Sequence, residues 1–148
     1  MSIVVTAASG QLGRAVVESL LARGADPASV VATARRPEAL ADLADHGVDV
    51  RRADYSDPAS LRSALAGAEK VLLVSGNEFG QRVAQHTAVV EAVVEAGASL
   101  VAYTSAPYAS TTSLALAAEH AATEKVLVDA PVDHVLLRNA WYVENYTG

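Results

Sequence analysis

Six short runs rich in Val, Leu and Ile recur at a steady interval along the chain, and segments with helical periodicity separate them. The runs cover residues 3–5, 30–32, 48–50, 71–74, 100–103 and 135–137. Strands that alternate with helices form a parallel sheet, and strands without a regular polar alternation are buried on both faces. The pattern therefore predicts an α/β fold of the Rossmann type, a doubly wound parallel sheet of about six strands in a three-layer αβα arrangement.

The segments between the runs carry start and stop signals for helices. The first segment ends at Gly24, and the second covers residues 37–45. The third begins after Asp57, which we expect to cap it, because Pro follows at the first helical position. The fourth ends at Gly97, and the fifth covers roughly residues 112–129. Five helices between six strands complete the predicted pattern.

Composition excludes several classes of function. The 148 residues suffice for one domain, 51% of them are hydrophobic, and the net charge is −6. An acidic chain is a poor partner for nucleic acid, and no apolar run has the length of a membrane span. There is no Cys, no basic segment of a secretory signal near the start, and no His and carboxylate spacing typical of a metal site. We expect a cytoplasmic protein with neither nucleic acid, membrane nor metal as a partner.

A loop with two glycines directly follows the first predicted strand. Glycines at this point let the backbone approach a pyrophosphate, which binds the N-terminal amides of the next helix. An ordinary turn between a strand and a helix is the alternative, but the position after the first strand favours a dinucleotide site. The predicted cofactor contacts of this loop are Thr6, Ala8, Ser9, Gly10, Gln11 and Leu12.

The second predicted strand is followed by Arg35 and Arg36, where an NAD site usually has an acidic residue. A guanidinium group binds a 2′-phosphate through paired hydrogen bonds, so the sequence predicts NADP(H) in preference to NAD(H). We assign this contact to Arg35, whereas Arg36 either shares it or is simply solvated. After the third strand, Asp54 is predicted to accept a hydrogen bond from the adenine amino group, with Tyr55 beside it.

The loops after the last three strands supply the remaining candidates. We expect the backbone after the fourth strand to lie along the cofactor ribose, and hydroxyls after the fifth strand to approach the nicotinamide. An aromatic residue after the sixth strand is expected to line the substrate side. In that order the candidates are Ser75, Gly76 and Asn77, then Thr104 and Ser105, and then Tyr142.

Seven stretches spread in order over the chain resemble the NmrA-like branch of the atypical short-chain dehydrogenase/reductases, and they are most similar to its NAD(P)H:quinone oxidoreductase type. The resemblance implies a Rossmann-type fold, a preference for NADP(H) and hydride transfer to a quinone or a similar small electrophile. The stretches are VTAASGQLG at 5–13, ARRP at 34–37, ADY at 53–55, LLVSG at 72–76, AYTS at 102–105, HAATE at 120–124 and LRNAWY at 137–142.

Members of this family continue well beyond the position equivalent to Gly148, into a smaller domain that helps to enclose the substrate. We therefore expect residues 1–148 to form an NAD(P)-binding Rossmann domain, with the smaller domain absent or truncated. The fourth and fifth helices offer faces on which a homodimer is expected to form.

Typical dehydrogenases of the wider superfamily use a Tyr-x-x-x-Lys pair, but Leu116 and His120 occupy those two positions here. His120 either gives a proton or hydrogen bond to the acceptor, or only positions the cofactor ribose. Our predicted catalytic residues are His120, Ser105 and Tyr142, and His86 is predicted to be structural. Reduction of a quinone does not need the missing pair, since water can complete the protonation. The alternative function is that of a non-catalytic NADP(H)-binding redox sensor.

Overall fold

The computed structural model describes residues 2–147 and contains one six-stranded parallel sheet in the order β3-β2-β1-β4-β5-β6. This order and the flanking helices confirm the predicted Rossmann-type α/β fold. The strands are β1 (Ile3–Val5), β2 (Val30–Ala34), β3 (Asp49–Arg52), β4 (Lys70–Leu73), β5 (Leu100–Ser105) and β6 (Asp133–Arg138). The helices are α1 (Gln11–Ala22), α2 (Ala41–Asp45), α3 (Pro58–Leu65), α4 (Arg82–Glu95), α5 (Ala115–Asp129) and α6 (Glu144–Thr147), and 3₁₀ turns cover Pro27–Ser29 and Pro37–Leu40.

The strand order reverses between β1 and β4, which is where a crevice opens at the carboxyl ends of the strands. Val5 of β1 pairs with Ala32 of β2 on one side and with Leu72 of β4 on the other. The loops that leave β1 and β4 then diverge to opposite faces of the sheet, so nothing in the chain path fills the space between them. Ligands of open α/β sheets bind at such a point.

Two apolar clusters hold the layers together. Helices α1 and α2 cover one face of the sheet, where Val5, Ala32 and Val17 are fully buried. Helices α3, α4 and α5 cover the other face over Val4 and Val101, which are also fully buried. The central strands are therefore buried on both sides, as their apolar sequences predict.

The edge strand β6 departs from that prediction. It pairs with β5 alone, and Val135 and Leu137 remain 43% and 38% exposed. Leu136, which alternates with them, packs against the cluster beneath α5. One face of β6 is thus covered and the other is open to solvent.

Local signals explain most helix boundaries. The carboxylate of Asp57 accepts hydrogen bonds from the amides of Ala59 and Ser60, so the predicted N-cap of α3 is confirmed. The helix predicted over residues 37–45 is instead a 3₁₀ turn followed by the five-residue α2. The fifth helix begins at Ala115 rather than near residue 112, because the backbone of Leu114 is extended, with a φ of −68° and a ψ of 127°.

Gly13 lets α1 lie directly against the loop that follows β1. A Cβ atom at this position would lie 2.5 Å from the carbonyl oxygen of Ala7 and 2.8 Å from the Cα of Ala8. Both atoms belong to the backbone, so neither can move without displacing the loop. The close approach fixes the direction in which the N-terminus of α1 points.

Gly13→Ala is expected to lower the free energy of unfolding by about 2–3 kcal/mol, because the added methyl group overlaps backbone atoms. Gly10→Ala is the matched control: its Cβ would meet the nearest atom at 3.4 Å, and its φ of −84° suits any residue. We expect the control to change stability by less than about 1 kcal/mol. Urea denaturation measures both, and equal losses would contradict the role assigned to Gly13.

Candidate functional site

A groove of about 350 Å³ lies at the carboxyl ends of β1 and β4. Most of the predicted cofactor residues line this groove, together with one of the three predicted catalytic residues. From the predicted cofactor set the lining includes Ser9, Gly10, Gln11, Leu12, Arg35, Asp54, Tyr55, Ser75, Gly76 and Asn77, and from the catalytic set Tyr142. These residues belong to the loops after β1, β2, β3 and β4, to the first turn of α1 and to the segment after β6, so the predicted positions meet at one edge of the sheet.

One end of the groove is formed by the first turn of α1. Gly10 is the N-cap residue and has no side chain that could cap the helix. Its amide donates to the carbonyl of Ala7, whose φ of 49° turns the chain sharply after β1. Within residues 2–147, no side chain accepts a hydrogen bond from the amides of Gln11 or Leu12. Free amides and the partial positive charge of the helix N-terminus favour an anionic ligand here.

Arg35 forms part of the groove wall at the end of β2. Its side chain is 70% exposed, and its guanidinium lies 3.3 Å from the carboxylate of Glu78. The other carboxylate oxygen of Glu78 accepts a hydrogen bond of 2.8 Å from Gln85. Arg36 does not line the groove. A bound anion would meet Arg35 in competition with Glu78, and an exposed pair of this kind is weak enough to be displaced.

The hydroxyl groups of Tyr55 and Thr6 form hydrogen bonds behind the groove. The Tyr55 hydroxyl donates to the carbonyl of Val74 at 2.7 Å and lies 2.5 Å from the Thr6 hydroxyl. Thr6 in turn accepts from the amide of Val74 at 3.0 Å. Burial raises the pKa of the Tyr55 phenol, so it stays protonated. The ring of Tyr55 lines the groove while its hydroxyl holds β1, β3 and β4 together.

Four other predicted contacts lie behind the groove wall. Ala8 is fully buried in the cluster beneath α1, and Thr6 is only 1% exposed. The Thr104 hydroxyl accepts from the amide of Ser75 at 2.8 Å, so it supports a groove residue without lining the groove. His120 is 6% exposed and lies 2.6 Å from the Tyr103 hydroxyl.

The three predicted catalytic residues are not brought together on one surface. The Ser105 hydroxyl donates to Glu124 at 2.6 Å, and Arg138 binds the same carboxylate at 2.8 and 3.0 Å. The guanidinium of Arg138 also lowers the pKa of Glu124. Ser105 and His120 are both buried, whereas Tyr142 lines the groove and is 39% exposed.

Helix α4 carries a buried polar group in which the sequence analysis identified only His86, as a structural residue, although the spacing of the group is a usable signal. Arg82, Gln85 and His86 lie three and four residues apart, on one side of a helix that otherwise presents valines to the core. All three are buried. His86 Nε2 accepts a hydrogen bond of 2.9 Å from the amide of Gly76, and Arg82 Nε donates to the carbonyl of Gly76 at 2.7 Å.

An open parallel sheet whose order reverses at β1 and β4, with a glycine turn and free helix amides at that point, defines a dinucleotide-binding Rossmann protein. A family model described as NAD(P)H-binding matches residues 7–148. The chain belongs to this NAD(P)H-binding family.

Known proteins extend the assignment. The chain is 49% identical over 144 residues to quinone oxidoreductase 2 of Escherichia coli, covering 97% of this chain and 50% of that protein. It is 31% identical to the NmrA-like oxidoreductase flvB of Aspergillus flavus, covering 99% of this chain and 50% of that protein. The crystal structure of the E. coli NADPH-dependent quinone oxidoreductase with NADPH superimposes with a TM-score of 0.91 at 50% identity, over 98% of this chain and 51% of that chain.

The resemblance stated from the sequence is thereby confirmed. The chain spans about half the length of the curated relatives it matches. Among the helices of residues 2–147, none combines the length and the apolar character needed to cross a membrane.

The environment of His86 predicts a pH dependence of stability. Burial, followed by the positive charge of Arg82, lowers its pKa from 6.5 to about 3. Between these values the unfolded chain binds a proton that the folded protein does not bind. Stability is therefore complete above pH 6.5 and falls as the pH decreases towards 3, by up to about 1.4 kcal/mol per pH unit from this group.

We expect urea denaturation between pH 7 and 5 to show this loss, and His86→Gln to reduce it. His120 keeps a residual slope, since burial also lowers its pKa. Glu124 contributes only at lower pH, near its ordinary pKa of 4.5. His134→Gln on the edge strand is the control. An unchanged slope in the His86 variant would contradict the assignment.

Proposed function

We propose that the protein is an NADPH-dependent oxidoreductase that transfers a hydride to a quinone or a similar small electrophile. The observation that carries the proposal is the groove, whose wall combines the uncapped N-terminus of α1 with the guanidinium of Arg35. This combination suits a dinucleotide with an additional phosphate on its adenosine half. The 49% identity to quinone oxidoreductase 2 supports the same reaction class.

The residues that line the groove supply polar groups of the kinds that such a cofactor would need. The amides of Gln11 and Leu12 would bind the pyrophosphate, and Arg35 would bind the 2′-phosphate. Asp54 also lines the groove and would accept from the adenine amino group. Gly76 allows the backbone to approach the ribose, because no side chain projects from it into the groove.

NADPH held in the groove would supply a hydride that, together with a proton from water, would convert the quinone to a hydroquinone and leave NADP⁺. The chain contributes by holding the two reactants in a productive orientation. Of the predicted catalytic residues, Tyr142 has the position to contact an acceptor, since it lines the groove. Its hydroxyl accepts from Asn139 at 2.9 Å and can rotate to donate to an acceptor oxygen. We assign Ser105 and His120 to support of the wall behind the groove.

Three further statements stay predictions: membership of the short-chain dehydrogenase/reductase superfamily, a cytoplasmic location and a homodimer. The assignment of residues 1–148 as a cofactor-binding domain that lacks the smaller substrate domain stays a prediction as well.

Arg35→Ala is expected to weaken NADPH binding by about 1–3 kcal/mol, the scale of a charge-assisted hydrogen bond, and to leave NADH binding nearly unchanged. Arg36→Ala is the matched control, because Arg36 is exposed next to Arg35 but does not line the groove. Fluorescence titrations of both cofactors measure the effect. Equal losses for NADPH and NADH would contradict a contact with the 2′-phosphate.

The reaction itself is tested by mixing the protein with NADPH and a small benzoquinone and following the loss of absorbance of the reduced cofactor. We expect turnover with NADPH above that with NADH, and none with heat-denatured protein. Binding of oxidised and reduced cofactor with equal affinity, and without turnover, would contradict the enzyme and favour the redox sensor.

A further inference from the structure

Both backbone polar groups of the groove residue Gly76 are held by side chains of α4. Its amide donates to His86 Nε2 at 2.9 Å, and its carbonyl accepts from Arg82 Nε at 2.7 Å. These groups belong to the two successive peptide units on either side of the Gly76 Cα. Neither His86 nor Arg82 lines the groove, so both act on it through this backbone.

The far end of the same loop is fixed by the partner of Arg82. Glu119 of α5 binds Arg82 through one carboxylate oxygen at 2.8 Å and accepts from the amide of Gly80 through the other at 2.7 Å. The side chains of Arg82 and Glu119 are only 6% and 14% exposed. One nearly buried ion pair therefore anchors both the beginning and the end of the segment 76–80.

The orientation of His86 is set in turn by α5. Since Nε2 accepts from Gly76, the proton lies on Nδ1, which donates to the Thr123 hydroxyl at 3.0 Å. The Thr123 hydroxyl in turn donates to the backbone carbonyl of Glu119 at 3.0 Å. Every polar atom of the imidazole is thus used, and the ring presents a fixed acceptor to the Gly76 amide.

We propose that His86, Arg82 and Glu119 are positioning residues that hold the backbone of Gly76–Gly80 in the conformation that the cofactor binds. This inference rests on the proposed function, because it concerns the wall of the same groove. A backbone ordered before binding loses no conformational freedom when the cofactor arrives, so the anchors raise affinity without touching the ligand. Because they act on the loop after β4 and none of them contacts Arg35, they are expected to support NADPH and NADH alike.

The test compares variants of His86 in cofactor titrations. His86→Leu removes the acceptor for the Gly76 amide and is expected to weaken both NADPH and NADH about tenfold. His86→Gln is the conservative variant, since its amide can accept from Gly76 and donate to Thr123, and it is expected to restore most of the affinity. Val89→Ala on the same helix is the control for lost packing, because Val89 is fully buried in the apolar cluster.

A second variant covers the case in which His86→Leu does not fold. Thr123→Val keeps the shape of the side chain but removes the acceptor that orients His86, and we expect about threefold weaker binding of both cofactors. Loss of affinity in these variants, with recovery in His86→Gln and little change in Val89→Ala, supports the inference.

Other outcomes overturn it and separate it from the proposed function. Wild-type protein that binds neither cofactor contradicts both proposals. Wild-type binding with His86→Leu or Thr123→Val no weaker than Val89→Ala contradicts the positioning role alone. Binding by His86→Gln as weak as by His86→Leu also contradicts it, since the acceptor would then be irrelevant.

Discussion

The contact between α1 and the loop after β1 is the constraint on which the candidate site depends. The missing side chain of Gly13 brings the helix against the backbone of Ala7 and Ala8, because any Cβ there would overlap with it. This contact directs the first turn of α1 into the groove at the point where the sheet order reverses. The fully buried Val5 and Val17 then keep strand and helix in that relation. The close approach of Gly13 to Ala7 and Ala8 thus serves both the packing of the core and the exposure of the N-terminus of α1.

The two walls of the groove differ in the interactions that hold them, which are buried hydrogen bonds on one side and an exposed ion pair on the other. On the side of β4, Gly76 is held by the buried side chains of His86 and Arg82, and removing one of them would leave a buried polar atom unsatisfied. On the side of β2, Arg35 and Glu78 form an exposed pair whose members can separate at little cost. The wall at Gly76 is suited to define where the cofactor lies. At the other wall, Arg35 is suited to exchange the carboxylate of Glu78 for a phosphate.

The sequence predicted the parts of the site that depend on local backbone signals. The glycine loop, Arg35 and the residues after β3 and β4 follow directly from strand ends, which periodicity locates. Ser105 was misplaced because β5 extends to it, beyond the predicted end at residue 103. Strand alternation then puts its side chain on the same face as Tyr103, where Glu124 binds it. Arg82 and Glu119 are 37 residues apart, and only the packing of α4 on α5 brings them together.

With a net charge of −6, the chain as a whole repels an anionic dinucleotide. Its affinity for the dinucleotide therefore has to come from short-range contacts. The charge of Arg82 contributes little, because Glu119 neutralises it at 2.8 Å. In the proposed complex, the attraction would then rest on the amides of α1, which are fixed dipoles, and on Arg35. Added salt weakens the pair between Arg35 and Glu78 and the contact between Arg35 and a phosphate in the same way. Salt therefore has less effect on the replacement of Glu78 by a phosphate at Arg35 than it would have on the binding of a phosphate to an unpaired arginine. Glu78 would thus lower the affinity for the phosphate but would also make that affinity less dependent on ionic strength.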